Sequence, residues 1–231
     1  MFHVKPEQVR IQRILLPPDS LPRDAWHQQL TPYRDILAVT GVAHGLIGPR
    51  EGPRLWSRHL YNCAVVALPE LSLVPQAAAV VDIGSGAGLP GVVWALTRPD
   101  IRVQLVEPLL RRAEFLADVI DELKLNDRVE VTRARAEDLA PLAADVVTSR
   151  AVAALPPLMA WSLRHTSAAG SVIAIKGGRA SEELSGERET IRRLGGRNAE
   201  VVEIVVEPES EPMARIVVVS RNPIPHYEWS R

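Results

Sequence analysis

The stretch Val80-Val81-Asp82-Ile83-Gly84-Ser85-Gly86-Ala87-Gly88-Leu89-Pro90-Gly91 constrains this chain more than any other. An apolar run closes on a carboxylate, passes into a glycine-rich turn and ends at a proline. Val80 to Ile83 has the character of a short strand buried in a parallel sheet. Gly84, Gly86 and Gly88 allow a sharp bend and a ligand close to the backbone. Pro90 suits the first turn of a helix, where no N–H is needed. Strand, turn and helix in this order build a nucleotide-type pocket at the carboxyl edge of an α/β sheet.

Two cofactors compete for that turn. Gly84-x-Gly86-x-Gly88 is the spacing of S-adenosylmethionine (SAM) methyltransferases, while Gly86-x-Gly88-x-x-Gly91 satisfies the dinucleotide fingerprint. The second match begins several residues past the strand, which misplaces the backbone for a pyrophosphate. Asp82 is expected to act on a cationic or amine-bearing ligand. Glu107 closes the next strand, where a carboxylate accepts hydrogen bonds from a ribose hydroxyl pair. It supports a nucleoside without choosing between SAM and NAD.

The polar N-terminus has no apolar signal core, and no apolar run approaches the ~18 residues that span a membrane, so a cytoplasmic location is expected. A single Cys63 excludes an internal disulfide or a cysteine-rich zinc site, and no metal is expected. The net charge of −1 argues against a generally basic nucleic-acid coat, so any such contact must be a local patch. Of 27 basic residues only Lys5, Lys124 and Lys176 are lysines. Arginine grips phosphates with a planar fork.

In chain order, residues 1–20 carry Pro6, Pro17 and Pro18 and are expected to form a loosely held arm, with Arg10 and Arg13 as phosphate contacts. Asp24 to Val39 has helical spacing interrupted by Pro32, which predicts two short helices. Gly41 to Gly52 is a loop and Pro53 to Leu68 a helix on which Arg54 and Arg58 lie one turn apart. Residues 1–70 are therefore an N-terminal arm and helical cap, and residues 71–231 a sheet domain. Strands and helices alternate from Ala79 onward. Strands are expected near 80–83, 102–106, 128–132, 144–148, 171–175, 201–206 and 214–220, with helices near 90–98, 108–123, 155–163 and 181–194. The turn Glu207 to Pro212 is too short for a helical crossover, so the last two strands pair antiparallel. The expectation is α/β: a seven-stranded, Rossmann-like sheet of the class I SAM-dependent methyltransferase kind with a terminal antiparallel hairpin.

Four segments carry a resemblance: Val81 to Gly91; Glu107 followed by Arg111-Arg112-Ala113-Glu114-Phe115-Leu116; Thr148-Ser149-Arg150-Ala151; and Ile175-Lys176-Gly177-Gly178. Together they closely resemble the RsmG (GidB) family. Gly-Leu-Pro-Gly and Ser-Arg-Ala are the specific parts, and the likeness covers roughly residues 25–220. Leu55-Trp56-Ser57-Arg58-His59-Leu60-Tyr61-Asn62 is similar to the family's Arg-His segment, with Asn62 where an acid is common. His44-Gly45-Leu46-Ile47 departs from the Asn-Leu-Thr common there. The resemblance implies SAM-dependent methylation of N7 of guanine 527 in 16S ribosomal RNA. It implies SAM contacts at Gly84, Leu89, Ala136, Glu137 and Arg150.

Guanine N7 has an in-plane lone pair and no proton at neutral pH, so displacement at a sulfonium methyl needs positioning rather than a general base. No Asn-Pro-Pro-Tyr motif follows the fourth strand, as an amino-group methyltransferase would require, and Asn222-Pro223-Ile224-Pro225 lies beyond the last strand. Arg135 or Arg150 is expected to hold guanine O6. Arg54, Arg58, His59, Arg133, Arg135, Lys176 and Arg179 are the candidate RNA contacts, joined by Arg111 and Arg112. So few phosphate contacts imply weak, salt-dependent binding of bare RNA, and hence a 30S subunit or assembly intermediate as partner. The alternatives are a small-molecule methyltransferase and, further off, an NAD-dependent oxidoreductase.

Overall fold

A computed structural model describes residues 9–221. One eight-stranded sheet runs through it. Its strands are β1 (Ile11–Leu16), β2 (Ala79–Ile83), β3 (Arg102–Val106), β4 (Val129–Thr132), β5 (Ala144–Arg150), β6 (Thr166–Lys176), β7 (Arg197–Val206) and β8 (Ala214–Ser220). The helices are α1 (Arg23–Ile36), α2 (Tyr61–Ala64), α3 (Gly91–Thr97), α4 (Leu110–Glu122), α5 (Leu155–His165) and α6 (Ala180–Arg193). The strand order is β1-β7-β8-β6-β5-β2-β3-β4. All neighbours are parallel except β6–β8 and β7–β8. β8 is antiparallel to both of its neighbours, because the short link from β7 leaves no room for a crossover.

β5 and β2 lie side by side in the interior of the sheet, and Val80, Val81, Ile83, Val146 and Val147 are buried there, as strands covered on both faces require. The order reverses at β2: the chain runs outward through β3 and β4, then returns to β5. The crevice beyond the carboxyl ends of β2 and β5 is thus the topological switch point, where open α/β sheets bind ligands.

Three expectations need correction. Residues 11–16 are not a loose arm but an eighth strand, parallel to β7, with Ile11 opposite Val201 and Leu16 opposite Val206. Arg10 and Arg13 accordingly pair along that ladder, with Glu200 and Glu203, rather than standing free for phosphate. Pro32 does not split the segment before it: α1 runs on through it and continues into a π-helical turn, Leu37–Gly41. Residues 52–67 are helical but irregular, passing from 3-10 (Gly52–Arg54) through a π-helix (Leu55–Leu60) and α2 to a second 3-10 turn (Val65–Ala67).

The cap is a layer of the same core rather than an independent body. Leu30, Tyr33, Leu37, Leu55, Leu60 and Val65 are fully buried in one apolar cluster with Val92, Leu105 and Ile173. Trp94 of α3 donates its indole N–H to the Cys63 carbonyl at 2.9 Å, tying the two layers together. A second cluster fills the other face of the sheet, where Leu158, Met159 and Leu184 of α5 and α6 pack on Val147, Val172 and Val217.

Candidate active site

A cavity of about 740 Å³ opens at the switch point. Its floor is the turn after β2, its rim the end of β3 with Pro108, Leu109 and Arg112, and its far wall Arg133, Arg135 and Asp138. Arg150, Ala151 and Val152 close it from β5, and Leu46, Ile47 and His59 from the cap. That volume is in the range of small-molecule and cofactor pockets.

The turn is held from beneath and from the side. Gly84 has φ +67°, and a Cβ there would stand 2.8 Å from Val152. At Gly88 φ is +93° and a Cβ would meet Val92 at 2.5 Å, so neither position accepts a side chain. Tyr33 of the cap donates its hydroxyl to the Ala87 carbonyl inside the turn. Glu107 is 2% exposed, and its two carboxylate oxygens accept the N–H groups of Gly86 (2.9 Å) and Leu109 (3.0 Å). Each oxygen can accept further bonds, so Glu107 can both brace the turn and take a ribose hydroxyl.

Asp82 occupies a different place from the one expected. It is fully buried beneath the turn and accepts the Gly91 N–H at 3.0 Å, while its other oxygen has no partner. Burial pushes its carboxyl up to about 7, against hydrogen bonds that pull it down. It braces the start of α3 instead of facing a ligand, because a side chain at that register of β2 points into the helix layer. Gly88 is likewise part of the bend rather than of the cavity lining.

The remaining candidates divide. Gly84, Gly86, Leu89, Glu107, Arg112, Arg133, Arg135, Arg150 and His59 line the cavity. Ala136 and Glu137 stand just behind its wall in a short 3-10 turn, Ala136–Asp138. Glu137 is exposed and 3.9 Å from Arg135. Two carbonyls of this turn and the one just past it are held from α5: His165 donates to Ala136 (2.7 Å), and Arg164 to Glu137 and Leu139 (2.9 and 2.8 Å). Lys176 lies outside the cavity lining and is engaged within the fold: its ammonium pairs with Glu183 at 2.8 Å and donates to the Ala153 carbonyl, leaving the side chain 10% exposed. Arg54, Arg111 and Arg179 are exposed but outside the cavity, and Arg58 pairs with Glu51 at its edge.

Arg150, the last residue of β5, is held by the cap. It donates to the Arg58 carbonyl (2.9 Å) and to His59 Nδ1 (3.0 Å), with Cys63 Sγ 3.8 Å away. Cys63 is a buried thiol pushed up to about 11 by desolvation, and so stays uncharged. Tyr33, Arg164 and His165 escaped the sequence reading because each acts across a long sequence separation, and Glu51 because it reaches His59 and Arg58 from an irregular loop whose course no local spacing marks.

The family described as rRNA small subunit methyltransferase G (GidB) matches residues 26–211 of this chain. The chain belongs to that family. Among its relatives, the ribosomal RNA small subunit methyltransferase G of Thermobifida fusca (strain YX) is 53% identical over 74% of this chain and 71% of its own length. That of Kineococcus radiotolerans is 48% identical over 82% and 73%. Solved structures place the fold with the class I SAM-dependent methyltransferases. The apo form of the SAM-dependent methyltransferase SibL gives a TM-score of 0.58 at 18% identity, over 85% of this chain and 70% of that one. M. jannaschii TYW2, solved with AdoMet, gives 0.52 at 19%, over 69% and 74%. The GidB-family chain is thus a SAM-dependent methyltransferase, and its residues suit that cofactor: a turn without side chains, a buried carboxylate at the tip of the second core strand, and a roomy cavity between them. Among the described residues no helix is long and apolar enough to cross a membrane.

Proposed function

We propose that this chain methylates N7 of guanine 527 in 16S ribosomal RNA, acting on a 30S subunit or assembly intermediate. The observation that carries the reading is the composition of the cavity wall: four arginines (Arg112, Arg133, Arg135, Arg150) around Glu107, with the one neutral base there, His59, engaged on both ring nitrogens. Such a wall can grip a phosphate-bearing base, and neither His59 nor Glu107, both already hydrogen-bonded, is set to remove a proton, which leaves Asp138 at the far wall as its other carboxylate. N7 needs none removed.

Bound SAM supplies an electrophilic methyl on a sulfonium. The chain's part is positioning, which is worth several orders of magnitude in rate when the reacting atoms are held in line. Glu107 and the turn after β2 hold the nucleoside end. The 3-10 turn at Ala136–Asp138, fixed by Arg164 and His165, offers Glu137 and backbone N–H groups to an adenine edge. Arg135 and Arg150 reach the cavity from opposite walls and can donate to guanine O6, leaving N7 free for attack. Arg133 and Arg112 at the rim suit backbone phosphates, which position a strand without reading it.

The test is mass mapping of methylated guanines in 16S RNA from cells with and without the gene. The reading expects loss of one N7-methylguanine at position 527 and recovery on adding purified protein and SAM to 30S subunits. An unchanged guanine 527, or equal activity on short naked RNA and on 30S subunits, overturns the corresponding part.

A further inference from the structure

Arg150 lines the cavity, yet its guanidinium is held from the cap. Its N–H groups can only donate, so the 3.0 Å contact with His59 Nδ1 requires a lone pair on that nitrogen. The ring proton must then reside on Nε2, which lies 2.9 Å from Glu51 Oε2. The carboxylate therefore selects the tautomer that Arg150 needs, in the way a second-layer group commonly fixes a histidine. The three residues come from a loop, a π-helical turn and the end of β5, and they join the cap to the sheet edge at the cavity wall.

We infer that Glu51 and His59 are positioning residues that hold Arg150 in the cofactor cavity, and that this hold lasts only while His59 is neutral. The inference rests on the SAM-dependent reading above together with the cofactor contact that the family resemblance implies for Arg150, whose guanidinium lines the same cavity as Glu107 and the glycine turn. It assigns to Glu51 and His59 an indirect role, exerted through Arg150, in place of the RNA contact expected of His59.

The surroundings favour the neutral ring. Burial lowers the His59 pKa, the Glu51 hydrogen bond opposes it, and the Arg150 charge lowers it further; the net is below the ordinary histidine value. The hydrogen bond from His59 in turn holds the Glu51 carboxyl below its usual value, so it stays ionised. Arg58 faces the pair from the same turn, with Arg54 close to Glu51. From α2 the Cys63 thiol is uncharged, and from α1 Tyr33 is raised well above the usual tyrosine range by burial. Protonation of Nδ1 would replace an acceptor by a donor and set two cations face to face. The sign follows: with a depressed pKa the network is intact above the ordinary histidine range and is lost as pH falls through the lowered value.

The experiment is calorimetric titration of the full chain with S-adenosylhomocysteine across pH, paired with ¹⁵N spectra of the histidine rings. Glu51→Ala and His59→Ala are expected to weaken binding about threefold to tenfold at pH 7.5, the size of one charge-assisted hydrogen bond partly replaced by water. His59→Asn, whose side-chain oxygen can take the place of Nδ1 as acceptor, recovers most of the loss. In the wild-type chain the affinity falls on acidification; in His59→Asn it does not. The wild-type spectrum shows the Nε2–H tautomer, and Glu51→Ala a mixture. Binding within twofold of wild type in both alanine variants, or an Nδ1–H tautomer in the wild type, overturns the inference alone. A wild-type chain that binds no S-adenosylhomocysteine overturns the methyl-transfer reading and this inference with it.

Discussion

Glu107→Ala separates a bracing carboxylate from an idle one. In the wild type two backbone N–H groups end on this side chain, from Gly86 at 2.9 Å and Leu109 at 3.0 Å. A hydrogen bond to a charged group contributes about 1.5–3 kcal/mol net. The Leu109 donor is at an exposed rim, where water can replace its acceptor, so it contributes little to the loss. The Gly86 donor is in the half-buried turn and keeps most of its penalty. The variant should therefore lose about 2–3 kcal/mol of folding stability. A further charge-assisted bond to a ribose hydroxyl disappears with it, worth about 10- to 100-fold in affinity for S-adenosylhomocysteine. Glu107→Gln keeps one acceptor oxygen and turns an amide against the other N–H, so it should fall between. The assay is calorimetric titration beside urea unfolding. Affinity within threefold of wild type in Glu107→Ala, with folding stability lowered as expected, would refute the ribose role while leaving the brace.

Three further outcomes are expected. Gly84→Ala forces a side chain into a positive φ and against Val152 at 2.8 Å, costing about 1–3 kcal/mol; adding Val152→Ala should recover the steric part in thermal melts but not the conformational part. Asp82 carries a carboxyl raised to about 7, so its contribution to stability is fully present below the ordinary value of 3.8 and is lost as pH rises toward 7. Asp82→Asn should accordingly gain stability relative to wild type between pH 4.5 and pH 8, by on the order of 4 kcal/mol at most, read by urea unfolding at both pH values. Lys176→Met, which removes a half-buried cation from Glu183 and Ala153, should lower the melting temperature while leaving the salt dependence of RNA binding unchanged; a shallower salt slope would return Lys176 to the RNA surface.

The sheet was legible where strands are buried on both faces and the chemistry lies at their tips. Arg102–Val106 is a strand with the bounds its apolar run suggests, and Glu107 follows it directly. β1 was not legible because half its residues face solvent and its partner β7 is far along the chain; alternation in Ile11 to Leu16 was masked by neighbouring prolines. α1 outlasts Pro32 because Trp26, Leu30, Tyr33 and Ile36 share one buried face, and that burial outweighs one missing hydrogen bond. Within the site, the glycine turn and Glu107 could be read from a single stretch each. The Glu51–His59–Arg150 chain could not, since the arginine at the end of β5 meets the His59 ring only once the cap has folded across the sheet. Asp82 was misplaced for a related reason: its distance from the turn is visible in sequence, but the direction of its side chain depends on which face α3 covers.

The most direct measurement is a structure of this chain with S-adenosylhomocysteine. The account predicts the amino-acid tail along Gly84 to Gly86, both ribose hydroxyls within hydrogen-bonding distance of Glu107, and the adenine against the turn at 136–138. A ligand bound elsewhere, or ribose hydroxyls turned away from Glu107 toward the arginine wall, would contradict it.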